Sequence, residues 1–228
     1  MKNKLNWLEA ALVIAPLLAL VMLWDQLPDR VPIHWNLRGE IDGWASKPFG
    51  MFIMPITSLG IIALLRFLPG IDPKLRRTTG AHGRMQSVLG ILRVVLAAFF
   101  VALFCIQVAA ALGYTVAAGR IVFSATLLLL AIIGNYLSNL RPNYFAGIRT
   151  PWTLESPETW RATHRLGGRL MFFGSLLLLA LQFLVSEGTF GILFVTSMVL
   201  FAAWGFLYSW HHSRTEEREP LDREEINE

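Results

Sequence analysis

The sequence predicts an all-α integral membrane protein: six transmembrane helices, both termini cytoplasmic, an ordered outer loop, and an inner loop followed by an interfacial helix. Three observations carry this expectation. Of 228 residues 54% are hydrophobic and only 16% charged, a balance far too apolar for an ordinary soluble domain. The apolar residues gather in six runs, each near the 20 or so residues that a helix needs to cross a bilayer core of roughly 30 Å. Between the runs, connections rich in Lys and Arg alternate with poorer ones, as the positive-inside rule requires.

The spans fall at about 5–27, 49–69, 87–113, 119–139, 168–186 and 190–210. The first follows Lys2 and Lys4, as a signal peptide would. Its apolar part reaches Trp24 without a small-residue cleavage site, so it reads as a retained span. Arg66, Lys74, Arg76, Arg77 and Arg84 lie between spans two and three, and Arg141, Arg149, Arg161, Arg165 and Arg169 between four and five. These connections and the N-terminus are expected inside. The first connection balances Arg30, Arg38 and Lys47 against Asp29, Glu40 and Asp42, the third holds Arg120, and the fifth has no Lys or Arg. These are expected outside. The chain then divides into a two-span module over 1–70 with outer loop 28–48, a four-span region over 71–210 with inner loop 141–168, and an acidic cytoplasmic tail over 211–228, expected to be disordered.

Within the spans Glu9, Arg66, Arg93 and Arg169 lie close enough to the inner ends to reach headgroups, while the mid-span polar residues, Gln107, Asn135 and Gln182, are neutral. No relay acid stands near the midplane, which ranks ion-coupled transport low. Gly, Ser and Ala in the spans read as helix-packing positions. Cys105 is the single cysteine, so no intrachain disulfide and no Cys-based metal cluster can form. The net charge of +4 is scattered over short loops rather than gathered on a soluble face, which argues against direct nucleic-acid binding. The sequence suggests no cofactor and no catalytic residues, and an enzyme is the less favoured reading.

Two connections are richer than a membrane anchor requires. The inner one reads NYFAGIRTPWTLESPETWRATHR over 143–165. Ser156-Pro157-Glu158 is a helix start: a hydroxyl cap, a proline at the first position and an acid in the first turn. On the helix that follows, Trp160 and His164 fall one turn apart with Thr163 beside them, and Arg161 and Arg165 form a second stripe. Such a helix suits the headgroup boundary, bending into the fifth span at Gly167-Gly168. The stretch from Gly147 to Trp152 is expected extended or turned, since Pro151 keeps Thr150 out of the helical region. Asn143, Arg149, Thr150 and Thr153 are candidates to satisfy its backbone. An interfacial anchor explains the Trp and Arg, but not the Asn, Gly, Thr and His among them.

The outer connection, LPDRVPIHWNLRGEIDGWASK over 27–47, carries two prolines, Pro28 and Pro32, with Gly39, Gly43 and mixed charges. It reads as an ordered, turn-rich loop. His34 with Asp42 or Glu40 matches no standard metal spacing, so a hydrogen-bonded histidine is expected and no metal site.

These two segments carry a family resemblance. Asn143, Gly147, Arg149, Thr150, Pro151, Trp152, Trp160, Thr163, His164 and Arg165 together resemble the signature of the SdpI family of bacterial membrane proteins. Pro32, His34, Trp35, Asn36, Gly39, Asp42 and Gly43 resemble the membrane module of uncharacterised function that commonly precedes it. The resemblance implies a multi-pass protein of the bacterial inner (cytoplasmic) membrane that confers toxin resistance as an immunity protein, acts in signal transduction, or both. The implied partners are the lipid bilayer, a peptide toxin on the outer face and a cytoplasmic regulator, with both residue groups as binding sites. Two alternatives stay open: a transporter or exporter of a peptide or lipid-like compound, and a membrane enzyme using the 143–165 segment.

Overall fold

A computed structural model describes residues 2–76 and 82–225, with side chains described over 5–75 and 85–216. Arg77 and the end of the tail at 226–228 lie outside the described residues, as do the side chains of Lys2, Lys4, Arg76 and Arg84. Among the described residues six helices are long and apolar enough to cross a membrane: Leu5–Gln26, Lys47–Ile71, Met85–Ala111, Ala118–Leu137, Pro157–Leu181 and Glu187–Glu216. The elements are α1 (Lys2–Leu23), β1 (Arg30–Trp35), β2 (Ile41–Ser46), α2 (Lys47–Ile71), α3 (Pro73–Arg76), α4 (His82–Ala111), α5 (Ala118–Leu137), α6 (Pro151–Glu155), α7 (Pro157–Leu181) and α8 (Glu187–Glu225), with a short 3-10 turn at Trp24–Gln26.

The helices pack in two groups of three. One holds α1, α2 and α4, the other α5, α7 and α8, and α4 meets α5 between them. The α5–α7 contact is backbone on backbone. A Cβ at Gly168 would lie 2.6 Å from the Gly134 carbonyl oxygen, and one at Gly134 2.7 Å from the Phe172 amide. Small residues let helices approach this closely in a medium that supplies no hydrophobic drive between them. Gly168 therefore serves contact, and no break in the helix falls at Gly167-Gly168, where the interfacial helix was expected to bend into the span. Instead α7 runs as one helix from Pro157 to Leu181, so the expected interfacial helix forms the first turns of the fifth span.

A buried cluster occupies each end. At the hairpin end Leu20, Leu27, Val31, Met51, Phe104 and Val108 pack together. At the other end Leu68, Leu89, Leu137, Leu140 and Trp160 join α2, α4, α5 and α7. The first cluster explains why residues 30–46 fold as an antiparallel hairpin, since two strands alone are marginal without packing beneath them. Val31 is fully buried, and Gln107 of α4 donates from Nε2 to the carbonyls of Pro32 and Gly50, both at 2.9 Å. Lys47 donates from Nζ to the carbonyls of Trp24 (3.1 Å) and Leu27 (3.0 Å), closing the end of the first span.

Two expectations change. Glu9, Arg66 and Arg93 do not reach separately for headgroups: Glu9 is only 5% exposed, with Arg66 Nη1 at 3.1 Å and Arg93 Nε at 2.9 Å on its two oxygens. A carboxylate in a low-dielectric site is tolerated when paired in this way. The tail expected to be disordered continues α8 as helix to Glu225. The physical reason lies in its contacts: Glu216 Oε2 accepts from Ser156 Oγ (2.9 Å) and Thr159 Oγ1 (2.8 Å), so the first polar turns beyond the span dock on the start of α7.

Candidate functional site

The inner loop is organised by one asparagine. Asn143 is fully buried, and its Oδ1 accepts from the amides of Phe145 (2.9 Å) and Ala146 (2.7 Å) while Nδ2 donates to the carbonyls of Arg141 (2.8 Å) and Ala146 (3.0 Å). An asparagine amide can satisfy donors and acceptors of an irregular backbone at once, which a membrane-edge loop requires. Asp72, also fully buried, pins the loop from α2. Its Oδ2 accepts from the Tyr144 amide at 2.7 Å, and Oδ1 accepts from Lys74 (2.8 Å) and Leu75 (3.1 Å) at the start of α3. Lys74 donates to the Leu154 carbonyl and stands over the Tyr144 ring, 4.9 Å from its centroid.

His164 and Trp160 form the seat on which the loop rests. Their rings stack at 3.9 Å between centroids, and the Trp160 indole N–H donates to the Leu140 carbonyl at 2.9 Å. Gly147 adopts φ +114°, and a Cβ there would collide with His164 Nε2. Only glycine combines that conformation with such an approach. The adjoining Ile148 amide donates to His164 Nε2 at 3.0 Å, and His164 Nδ1 meets the Trp160 carbonyl at 2.9 Å. Both ring nitrogens are thus spent on backbone, which leaves neither as a general base.

The turn into α7 is a chain of hydroxyls. Thr150 and Thr153 form a reciprocal capping box at α6, Thr150 Oγ1 donates to Ser209 of α8 at 2.9 Å, and Thr153 Oγ1 donates to the Ile148 carbonyl at 2.9 Å. Pro151 opens α6 at its first position, where its missing N–H costs nothing. Trp152 packs edge-on against Phe206, 5.0 Å between centroids. Thr163 is fully buried. Arg149 is exposed and donates once, to the Tyr144 carbonyl at 2.8 Å; Arg165 is exposed as well. The Arg149 guanidinium is therefore not packed against Trp160 and His164, and glycine takes that place.

At the opposite end the hairpin presents its polar residues. His34 Nδ1 lies 2.5 Å from Asp42 Oδ1. Asn36 ties the turn: Oδ1 accepts from the amides of Arg38 (2.9 Å) and Glu40 (3.1 Å), and Nδ2 donates to Glu40 Oε2 (2.8 Å). Gly39, at φ +78°, comes against Glu187 and Gly119, and Leu37 packs on Gly191. Gly43 opposes His34 in the ladder and leaves room for its Cβ. The hairpin thus rests on the ends of α5 and α8 as well as on its own neighbours. Between its Ile33–Leu37 segment and α2, α4 and α5 lies an apolar cavity of about 290 Å³, lined by Trp35 and Asn36 together with Leu103, Ile106 and Phe123.

Residues 139–209, which hold this inner loop, its Trp160–His164 seat and Ser209, match the SdpI/YfhL protein family. The chain carries an SdpI/YfhL family domain. Ahead of that domain, residues 11–59, which include the hairpin, match a domain of unknown function, DUF1648. The chain is 25% identical over 213 residues to the immunity protein SdpI of Bacillus subtilis (strain 168), covering 92% of this chain and 96% of that protein. No solved structure matches it. The six apolar helices and this similarity make the chain a multi-pass membrane protein.

Within the SdpI/YfhL domain the structure brings Asn143, Gly147, Thr150, Trp160 and His164 into one folded cluster, while Arg149 and Arg165 lie on its surface. Three residues of the cluster escaped the sequence reading: Asp72, Ser209 and Glu216. Asp72 stands before Pro73, a cap signal that was legible. Ser209 and Glu216 carry no local signal, because their partners lie 59 and 60 residues away.

Proposed function

We propose that this chain is an immunity protein of the cytoplasmic membrane, protecting the cell that makes it from a membrane-active peptide toxin and holding a cytoplasmic regulator at its inner face. The observation that carries the proposal is similarity to an immunity protein over 92% of this chain and 96% of the relative, nearly the full length of both. Both termini are placed in the cytoplasm by the Lys and Arg alternation. The hairpin then faces the side from which a toxin arrives. Its Trp35 and Leu37, the His34–Asp42 pair and the apolar cavity beneath offer a hydrophobic peptide both anchors and polar partners. On the inner face the exposed Arg149, Arg165 and Arg169 border a rigid loop, a surface suited to an acidic patch on a soluble partner.

The test separates the two faces in cells exposed to the cognate peptide and carrying a fluorescent regulator. Trp35→Ala with Asp42→Ala should lower survival and leave the regulator at the membrane. Arg149→Ala with Arg165→Ala should release the regulator and leave survival unchanged. If every variant loses both activities in proportion to lost protein, the assignment of the two faces is wrong.

A further inference from the structure

A second cavity, of about 440 Å³, lies between the terminal-side ends of α1, α2 and α4, with Asn6, Arg66, Ser87 and Arg93 on its wall beside Leu5 and Leu65. Among the described residues its charge is unbalanced. Arg66 and Arg93 share one carboxylate, Glu9, so one positive charge is left over, and each guanidinium spends a single described hydrogen bond on that pairing. The Arg93 side chain is only 12% exposed and cannot carry its charge out to bulk water, whereas that of Arg66 is 51% exposed, at the mouth. An excess guanidinium in such a setting calls for an anion.

We propose that this cavity binds the phosphate of an anionic phospholipid from the leaflet on the side of the termini. Three features select that ligand. The site lies at the end of three spans, where lipid phosphates stand, and basic pockets between transmembrane helices are suited to such headgroups. One phosphodiester charge matches the single uncompensated guanidinium, whose planar fork fits phosphate oxygens. The volume is that of a small-ligand site, and Leu5 and Leu65 offer the glycerol end an apolar wall. A zwitterionic lipid presents the same phosphate, but its ammonium group would face the same excess positive charge.

Purified full-length protein in detergent, titrated separately with phosphatidylglycerol, phosphatidylethanolamine and glycerol 3-phosphate, tests the proposal by native mass spectrometry and thermal melting. The wild type should retain phosphatidylglycerol about tenfold over phosphatidylethanolamine, the size of one charge-assisted contact. Arg66→Gln should remove most of that preference and still fold, since Glu9 keeps Arg93 at 2.9 Å. Gly90→Leu tests the cavity without changing charge: a Cβ at Gly90 meets nothing nearer than 3.8 Å, and the longer side chain enters the space the headgroup needs. It too should lose the preference, while Arg141→Gln, at an exposed arginine away from the cavity, should keep it. Equal retention of the two lipids overturns the proposal, as does an equal loss in Arg141→Gln or an unchanged preference in Arg66→Gln or Gly90→Leu. Stabilisation by glycerol 3-phosphate equal to that by phosphatidylglycerol assigns the site to a soluble phosphate and overturns the lipid.

Discussion

The Ile148 amide donates to His164 Nε2 at 3.0 Å, and this bond joins the inner loop to the helix that carries it. An amide can only donate and a carbonyl only accept, so with the Trp160 carbonyl on Nδ1 the ring is the tautomer protonated at Nδ1. His164→Ala removes the acceptor of a backbone N–H and the ring stacked on Trp160. A cost of about 3 kcal/mol is expected, the sum of an unmade hydrogen bond and a small cavity. Thermal unfolding in detergent measures it, and an unshifted melting curve would show that the loop is held by other means.

Gly147 and Gly174 give opposite expectations for the same substitution. Gly147→Ala must place a methyl group against His164 Nε2 at φ +114°, and should cost at least about 2 kcal/mol. A Cβ at Gly174, within α7, meets nothing within 4 Å, so Gly174→Ala should be neutral or stabilise by up to about 1 kcal/mol. Melting temperatures that fall together for both variants would contradict the geometry of the loop.

Asp72→Ala should destabilise more than Arg149→Ala. Asp72 is fully buried and accepts from three amides, of Lys74, Leu75 and Tyr144, so its loss is expected to cost about 3 kcal/mol. Arg149 is exposed with one bond to a carbonyl, and its loss should cost under about 1 kcal/mol. Limited proteolysis of the 141–150 loop offers a second readout, with faster cleavage expected in Asp72→Ala alone.

The orientation has a direct check. In a Cys105→Ala background, single cysteines at Arg38 and Tyr114, both exposed at the hairpin end, should react with an impermeant thiol reagent added to intact cells. Cysteines at Arg149 and Glu158, exposed at the other end, should react only after the membrane is opened. The reverse pattern would invert the molecule.

Much of the fold was legible because the bilayer imposes its demand locally. A run of about 20 apolar residues is a span whatever its neighbours do, and the six runs became the six long helices. The cap at Ser156 is equally local, since a hydroxyl reaches an amide three residues on; the short helix Pro151–Glu155 with its cap at Thr150, which takes in part of a stretch read as extended or turned, was not foreseen. The Trp160–His164 pair follows from helical spacing, although not its stacking or its bond to Ile148. Gly147 was visible as part of a pattern, but not as the residue that brings the loop onto His164.

The amino-acid sequence by itself determined the number of spans, the alternation of charge along the connections and the two polar segments that set this chain apart from a bare bundle, because each depends on residues within a few turns of one another. Tertiary structure decided the rest. Glu9 meets Arg66 and Arg93 across 57 and 84 residues, Asp72 reaches Tyr144 across 72, and Glu216 turns from a tail residue into a partner of Ser156 across 60. Each polar group in these pairs could face water or a headgroup as far as its own neighbours show, and Glu9 and Asp72 are buried only because the packing of helices sets their partners within 3 Å or so, where pairing offsets the cost of leaving water.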